Sequence, residues 1–302
     1  MKKVLILGYG SIGKKHAKNL ESLGIQPFIY DIKINKEKNT NIINNLENVP
    51  DIEYCIISTP TAYHYQNFID VISKTQCKKI LIEKPIDMNL NNASQILDIA
   101  KKNNISVHVA YNIRYLYCFE NIKKVIKENR NNIRIVKITC GQYLPDWRAN
   151  IDYRNNYSAH KFQGGGVDLD LSHEIDYMLW LFGKPNKQII SLRKKISSLD
   201  IDSIDYYKGL FDYGNFIVDL ELDYIRKKER KLRIIGENKE IINVDFINKI
   251  FTVNGIEIHG ENLFDFNRSY IMEIEEFLGL SDTKRLCTLE ESIKVLELIK
   301  DF

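Results

Sequence analysis

The stretch "VLILGYGSIGKKH", residues 4–16, restricts the fold more than any other part of the chain. An apolar run ends at Gly8, and Gly8, Gly10 and Gly13 follow in the order G-x-G-x-x-G at the start of an amphipathic segment. A strand therefore turns directly into a helix. Gly8 permits the tight turn, Gly10 lets backbone approach a pyrophosphate, and Gly13 lets the helix pack against the strand. Backbone amides that open the helix at Ser11 and Ile12 add the positive end of the helix dipole, which favours phosphate. Three glycines alone are a weak signal. Asp31 strengthens it: it closes the second apolar run 23 residues after Gly8, where a carboxylate accepts from adenosine ribose hydroxyls. The bland alternative is a plain strand-to-helix turn with Asp31 capping a loop. An acid at this point repels a ribose 2′-phosphate, so NAD is the expected cofactor, while Lys33 and Lys36 leave NADP open.

The rest of the first 110 residues repeats this rhythm. Apolar runs "KVLIL", "QPFIYD", "YCIIS", "KILIE" and "SVHVA" alternate with helical patterns over 11–23, 61–73 and 89–103, as in βα units on a parallel sheet. The first helix ends at Gly24. Residues 33–48 are polar and read as a loop with a short helix. Beyond about residue 118 the pattern changes to a helix ("FENIKKVIKE"), a strand ("IRIVKITCGQY"), an irregular stretch over 144–163 and a helix over about 167–182. Several β-rich runs over 188–258, with turn signals at Asp212–Asn215 and Asn254–Gly255, argue an antiparallel or mixed sheet. Two helices finish the chain, and Thr288 and Glu291 in "TLEE" have the spacing of a capping box. The expected organisation is α/β: a dinucleotide-binding domain over 1–118 and a substrate-binding and oligomerisation domain over 119–302, its last helix packing back on the first.

Composition excludes more than it identifies. With 302 residues, 44% of them apolar, the chain can bury a sizeable core. Its 43 basic and 40 acidic residues leave a formal charge of +3, too even a balance for a nucleic-acid partner. No run reaches the roughly 18 apolar residues of a membrane span, and the N-terminal apolar run is too short for a secretory signal. Five cysteines without a C-x-x-C pair read as reduced thiols in a cytoplasmic protein. The six histidines show no metal spacing, so no metal is expected.

"KKILIEKPID" is the second stretch that bears on chemistry. Ile80, Leu81 and Ile82 read as a buried parallel strand, so Glu83, Lys84 and Pro85 fall at its carboxyl end, which faces the ligand crevice in an open α/β sheet. Thr59 and Pro60 end the preceding strand in the same way. Thr61 is placed to cap the next helix. His64 is either an exposed residue of the first turn or a neutral hydrogen-bonding group near the cofactor. Farther on, Gly164, Gly165 and Gly166 lead into "VDLDLSHEID". There Asp170 and His173, three residues apart, share one face of a helix and can fix a substrate hydroxyl. Asp168 favours the helix N-terminus. Arg114, Arg148 and Arg154 offer guanidinium forks to carboxylate or phosphate, with Trp147 and Tyr153 beside them. The alternative for these is a set of solvated loop residues, with Trp147 as a packing anchor.

"GYGSIGKKH", "STPTAYH", "EKP", "YNIRY" and "GGGVDLDLSHEIDYMLWLFG" together resemble the glucose-fructose oxidoreductase, inositol dehydrogenase and rhizopine-catabolism family, Gfo/Idh/MocA. They run in family order from residue 8 to residue 183. The resemblance implies a Rossmann domain and a C-terminal α/β domain with a large, mostly antiparallel open-faced sheet. It further implies NAD(P)-dependent hydride transfer at a carbinol of a sugar, sugar phosphate, nucleotide sugar or cyclitol, in homodimers or homotetramers built on that sheet. It puts Lys84 at the reacting oxygen beside the nicotinamide, and Asp170 and His173 at the substrate and acid/base positions. A lysine amine, ordinarily near a pKa of about 10.4, is a poor base at neutral pH; burial and a cationic nicotinamide both lower that value. Glu83 would hold the amine, within a cofactor site that also includes Thr59, Pro60 and His64. One departure is visible: many family members place the histidine four residues after the aspartate rather than three. The stretch from "YLPDWR" to "DLSHEIDY" resembles a subgroup associated with bacterial surface-sugar biosynthesis. Two other functions fit the same motifs: redox-neutral NAD-assisted glycoside cleavage, and a non-catalytic dinucleotide sensor.

Overall fold

The computed structural model describes residues 2–33, 41–148 and 151–300. The chain forms two compact units, Met1–Tyr115 with Asn267–Glu297, and Leu116–Phe266 with Leu298–Phe302. A single boundary at residue 118 lies near the first crossing, but each unit is built from two segments of chain.

The first unit is organised by a seven-stranded sheet in the order Cys287–Thr288, Ser106–Ala110, Lys79–Glu83, Tyr54–Ile57, Val4–Leu7, Phe28–Tyr30, Ile42–Ile43. Only the short Cys287–Thr288 strand is antiparallel to its neighbour. The six parallel strands, numbered by sequence, read 3-2-1-4-5-6, the doubly wound order. Val4–Leu7, Tyr54–Ile57 and Ile80–Ile82 are wholly buried, because a parallel sheet is covered on both faces. Helix Ser11–Ser22 contributes Ala17 and Leu20 to a core with Val4, Ile6, Tyr54 and Ile56, completed by Ile274, Phe277 and Leu278. The helix stops at Gly24, whose φ of +73° suits glycine and whose amide donates to the Glu21 carbonyl.

Helix Leu90–Lys102 starts at Asn89, whose side chain accepts from the Asn91 amide. The helix expected from Thr61 begins instead at His64, after a 3₁₀ turn over Thr61–Tyr63, and the Thr61 side chain makes no cap. Within the polar 33–48 segment, the described part holds strand Ile42–Ile43 and a 3₁₀ turn at Leu46–Asn48. Lys36 lies outside the described residues.

The second unit carries eight strands in the order Ile256–Glu257, Ile250–Val253, Glu240–Asp245, Glu229–Gly236, Ile133–Gly141, Ile217–Asp223, Tyr206–Asp212, Lys187–Lys194. All pairs are antiparallel except Ile217–Asp223 with Ile133–Gly141. Burial alternates along the central strands: Val136, Ile138, Val218, Leu220, Leu232 and Ile234 are fully covered, while Ile135 and Ile217 are exposed. One face therefore packs on helices and the other stays open. Phe119 of helix Cys118–Asn129 meets Tyr177 and Trp180 of helix His173–Phe182, and Phe246 beside them. The Asn254–Gly255 hairpin has φ of +51° and +80°, the left-handed pair that its sequence signals. Among the described residues, no helix is long and apolar enough to cross a membrane.

Candidate functional site

In the first unit, Leu7, Ile57, Ile82 and Val109 stand in register across adjacent strands, with Tyr30 beside Leu7. Their successors Gly8, Asp31, Ser58 and Glu83 consequently share one edge, the carboxyl ends of the strands. The strand order reverses between Val4–Leu7 and Tyr54–Ile57, and ligands of doubly wound sheets bind at that point.

Each glycine of the turn answers a different constraint. Gly8 has φ +95°, and a Cβ there would sit 2.8 Å from the Thr59 amide nitrogen. Its own amide donates to the Tyr30 carbonyl at 2.8 Å. A Cβ on Gly13 would lie 2.1 Å from the Gly8 carbonyl oxygen. Around Gly10 an added Cβ would meet nothing within 4 Å, so this turn leaves open space where helix Ser11–Ser22 begins without a side-chain cap. The amides of that first turn are the groups an anion would satisfy. Asp31 borders the same turn: Oδ2 accepts from the Tyr9 amide at 2.7 Å and Oδ1 from the Lys33 amide at 2.8 Å. A carboxylate has about four acceptor positions, so two bonds leave capacity for ribose hydroxyls. The residues fit a dinucleotide on geometry.

Several polar side chains at this edge are tied to other parts of the first unit. Glu83 is 8% exposed and pairs with His16 Nε2 at 2.6 Å, so its carboxylate braces the first helix. His16 itself escaped the motif reading, although it stands on the buried stripe Gly13, His16, Ala17, Leu20. Its ring also meets Tyr270 edge-on at 6.0 Å. His64 is buried, with Nε2 2.9 Å from the Thr59 carbonyl and Nδ1 3.0 Å from the Pro85 carbonyl. It ties two strand ends together instead of lining an exposed turn. Thr59 Oγ1 accepts from Asn67 at 2.7 Å, and Pro60 follows at the N-cap of the 3₁₀ turn. Lys84 is half-buried and follows the strand directly. Arg114 belongs elsewhere. It is 2% exposed and donates to Glu291 at 3.0 Å and to the Arg285 carbonyl, an internal bridge within the first unit. Glu291 also closes the capping box with Thr288, at 3.0 and 3.2 Å.

In the second unit the expected continuous helix over 167–182 is interrupted. Val167–Asp170 is one short helix and His173–Phe182 another, with Leu171 at φ −102°, ψ 28° between them. The one-face argument for Asp170 and His173 therefore fails as stated, since the two residues belong to different helices. Both are nearly buried, at 6% and 8% exposure. Asp170 Oδ2 accepts from the Tyr224 hydroxyl at 2.5 Å, and the Tyr157 hydroxyl lies against the same carboxylate. Burial first, and the Asp170 charge second, push both phenols well above their ordinary range. They remain donors that orient the carboxylate.

The glycines before this element pack against a turn: a Cβ on Gly165 would lie 2.4 Å from the Tyr157 carbonyl oxygen. Asp168, expected to favour a helix terminus, is fully buried and ion-paired with Arg193 at 2.6 Å. Trp147 stands edge-on to Tyr224 at 5.2 Å and donates to the Gln142 carbonyl, as a packing anchor does. Arg148 lies over the Tyr157 ring. Arg154 is exposed and gripped by Asp152, and the Tyr153 hydroxyl accepts from the Asp200 amide at 3.2 Å.

Two family models match the chain. "Oxidoreductase family, NAD-binding Rossmann fold" covers residues 2–111, and "GFO/IDH/MocA C-terminal domain" covers residues 119–242. The chain belongs to the Gfo/Idh/MocA family. Among curated Gfo/Idh/MocA-like relatives, a glucose-6-phosphate 3-dehydrogenase of Bacillus subtilis is 27% identical over 60% of this chain and 54% of its own length. The NADP(+) scyllo-inositol 2-dehydrogenase IolW of the same organism is 26% identical over 70% and 60%. The chain thus spans little more than half the length of the curated relatives it matches. A solved structure of the WlbA dehydrogenase from Bordetella pertussis, in complex with NADH and UDP-GlcNAcA, shares the fold with TM-score 0.78 at 15% identity, covering 99% of this chain and 93% of that one.

Proposed function

We propose that this protein transfers a hydride between NAD and a carbinol or carbonyl carbon of a sugar-type substrate: a sugar, sugar phosphate, nucleotide sugar or cyclitol. The observation that carries the reading is the sheet edge on which the open Gly10 turn, Asp31 and Lys84 follow neighbouring strands. A nicotinamide dinucleotide supplies the hydride acceptor when bound. The Gly8–Gly13 turn would hold its phosphates and Asp31 its adenosine ribose, which favours NAD over NADP. Lys84 takes the proton of the carbinol during oxidation and returns it to the oxygen during reduction. Asp170, fixed by Tyr224 and Tyr157, binds a substrate hydroxyl, and His173 shares the proton.

The printed activities of the relatives, on glucose 6-phosphate and scyllo-inositol, support a polyhydroxylated substrate, and the WlbA complex supports extending it to nucleotide-linked sugars. The five buried thiols support a cytoplasmic enzyme. Exposed Ile135, Ile217 and Ile250 on the open sheet face support pairing of two copies there.

The test is to titrate the protein with NAD and NADP, then to screen sugars, sugar phosphates and cyclitols for absorbance of reduced nicotinamide. Net NADH accumulation supports dehydrogenation. Substrate consumption without it identifies redox-neutral cleavage, and tight NAD binding with no turnover of any probe identifies a sensor.

A further inference from the structure

We propose that Arg148 binds an anionic group of the substrate, a carboxylate or phosphate, so that the enzyme acts on an acidic sugar derivative and not on a neutral sugar. The inference rests on the dehydrogenase reading and names the substrate class for the same site. Its first support is the position of Arg148. The guanidinium carbon lies 5.5 Å from the centre of the Tyr157 ring, and the Tyr157 hydroxyl lies against Asp170. Arg148 is thus one side chain removed from the carboxylate proposed to hold the substrate hydroxyl. Trp147, next in the chain, packs on Tyr224, the other tyrosine that holds Asp170. The loop is anchored on both sides of the carboxylate.

The second support is the charge balance. In the same unit Arg154, Arg193, Arg226, Arg230 and Arg233 each hold a carboxylate of the chain. Arg148 is half-buried, and among the described residues its guanidinium has no hydrogen bond or ion pair, only the contact with the Tyr157 ring. A half-buried guanidinium with no carboxylate bonded to it keeps donors to satisfy. Stacking on an aromatic ring fixes its plane and leaves its fork of donors available, which matches the oxygens of carboxylate or phosphate. An anionic ligand beside Asp170 meets like-charge repulsion, and a cation at this position offsets it.

The test is calorimetric binding to the NADH-saturated protein, in which a carbinol substrate does not turn over. Glucose 6-phosphate probes the phosphate, glucuronate the carboxylate, and glucose is the neutral reference. One anionic probe is expected to bind about tenfold or more tightly than glucose, in line with a charge-assisted contact. Which of the two does so identifies the anion. Arg148→Ala should remove that advantage while leaving glucose binding as it was, and Arg148→Lys should restore part of it.

The proposal is overturned when neither anionic probe binds more tightly than glucose, including the case in which none binds. It is equally overturned when Arg148→Ala weakens glucose and the anions alike, the outcome of a structural role or of a simple counter-charge to Asp170. The dehydrogenase reading fails separately, when the tightest-binding probe yields no reduced nicotinamide with NAD.

Discussion

Replacing Gly10 by alanine separates ligand contact from folding. Gly10 has φ −71° and ψ −163°, ordinary values for any residue, and an added Cβ meets nothing within 4 Å. Stability should therefore stay unchanged or rise by up to about 1 kcal/mol, because alanine restricts the unfolded chain. The methyl group instead takes the space that a pyrophosphate needs above the turn. Losing one charge-assisted amide contact costs about 2 kcal/mol, or a roughly 30-fold rise in the NAD dissociation constant.

Gly13→Ala is the contrasting variant. Its Cβ would stand 2.1 Å from the Gly8 carbonyl oxygen and 2.9 Å from Ser58 Oγ. The turn must open, at a cost of about 1–3 kcal/mol in stability. Urea unfolding and calorimetric NAD titration of both variants measure the two effects. A folded Gly10→Ala protein that binds NAD with wild-type affinity refutes the reasoning, since nothing then approaches the turn.

Asp31→Ser should raise the NADP/NAD affinity ratio about tenfold or more by removing the charge that opposes a 2′-phosphate; an unchanged ratio in paired titrations removes the role given to Asp31. Glu276 accepts from the Arg285 and Leu286 amides at 3.0 and 3.2 Å, from the Tyr115 hydroxyl at 2.9 Å and from Thr283. Burial raises its carboxyl, but these bonds outweigh it and hold the group below its ordinary 4.5. A depressed carboxylate stabilises the fold above its unfolded pKa and loses that contribution as pH falls through its folded pKa. Glu276→Gln should cost about 1–3 kcal/mol at pH 7, at the lower end because the group is partly solvated, and should flatten the loss of stability below pH 4.5. Burial pushes the Cys77 thiol up to about 11 and those of Cys118 and Cys140 up to about 12. Ellman's reagent should find close to no reactive thiol in the native protein and all five after denaturation; rapid native modification contradicts this.

The parallel sheet was legible because its signals are local. Short apolar runs, a glycine turn and Asp31 each report on backbone within a few residues, and strands Val4–Leu7, Tyr54–Ile57 and Lys79–Glu83 fall where those runs predict. The capping box at Thr288 is local in the same sense. What sequence spacing could not show were partners distant in the chain. His16 and Glu83 are 67 residues apart and Arg114 and Glu291 are 177 apart, so neither pairing is visible until the fold joins them. The interruption after Asp170 escaped for another reason. "VDLDLSHEID" contains no glycine or proline to mark a break, and only the backbone at Leu171 reveals that Asp170 and His173 belong to separate helices.

The most direct test of hydride transfer at this sheet edge is the turnover of Lys84→Ala, followed as reduced nicotinamide with the best substrate at saturating NAD. The account predicts NAD affinity close to wild type and a fall in kcat of about 10²–10⁴-fold, the worth of a positioned acid or base. A variant that keeps wild-type kcat contradicts it.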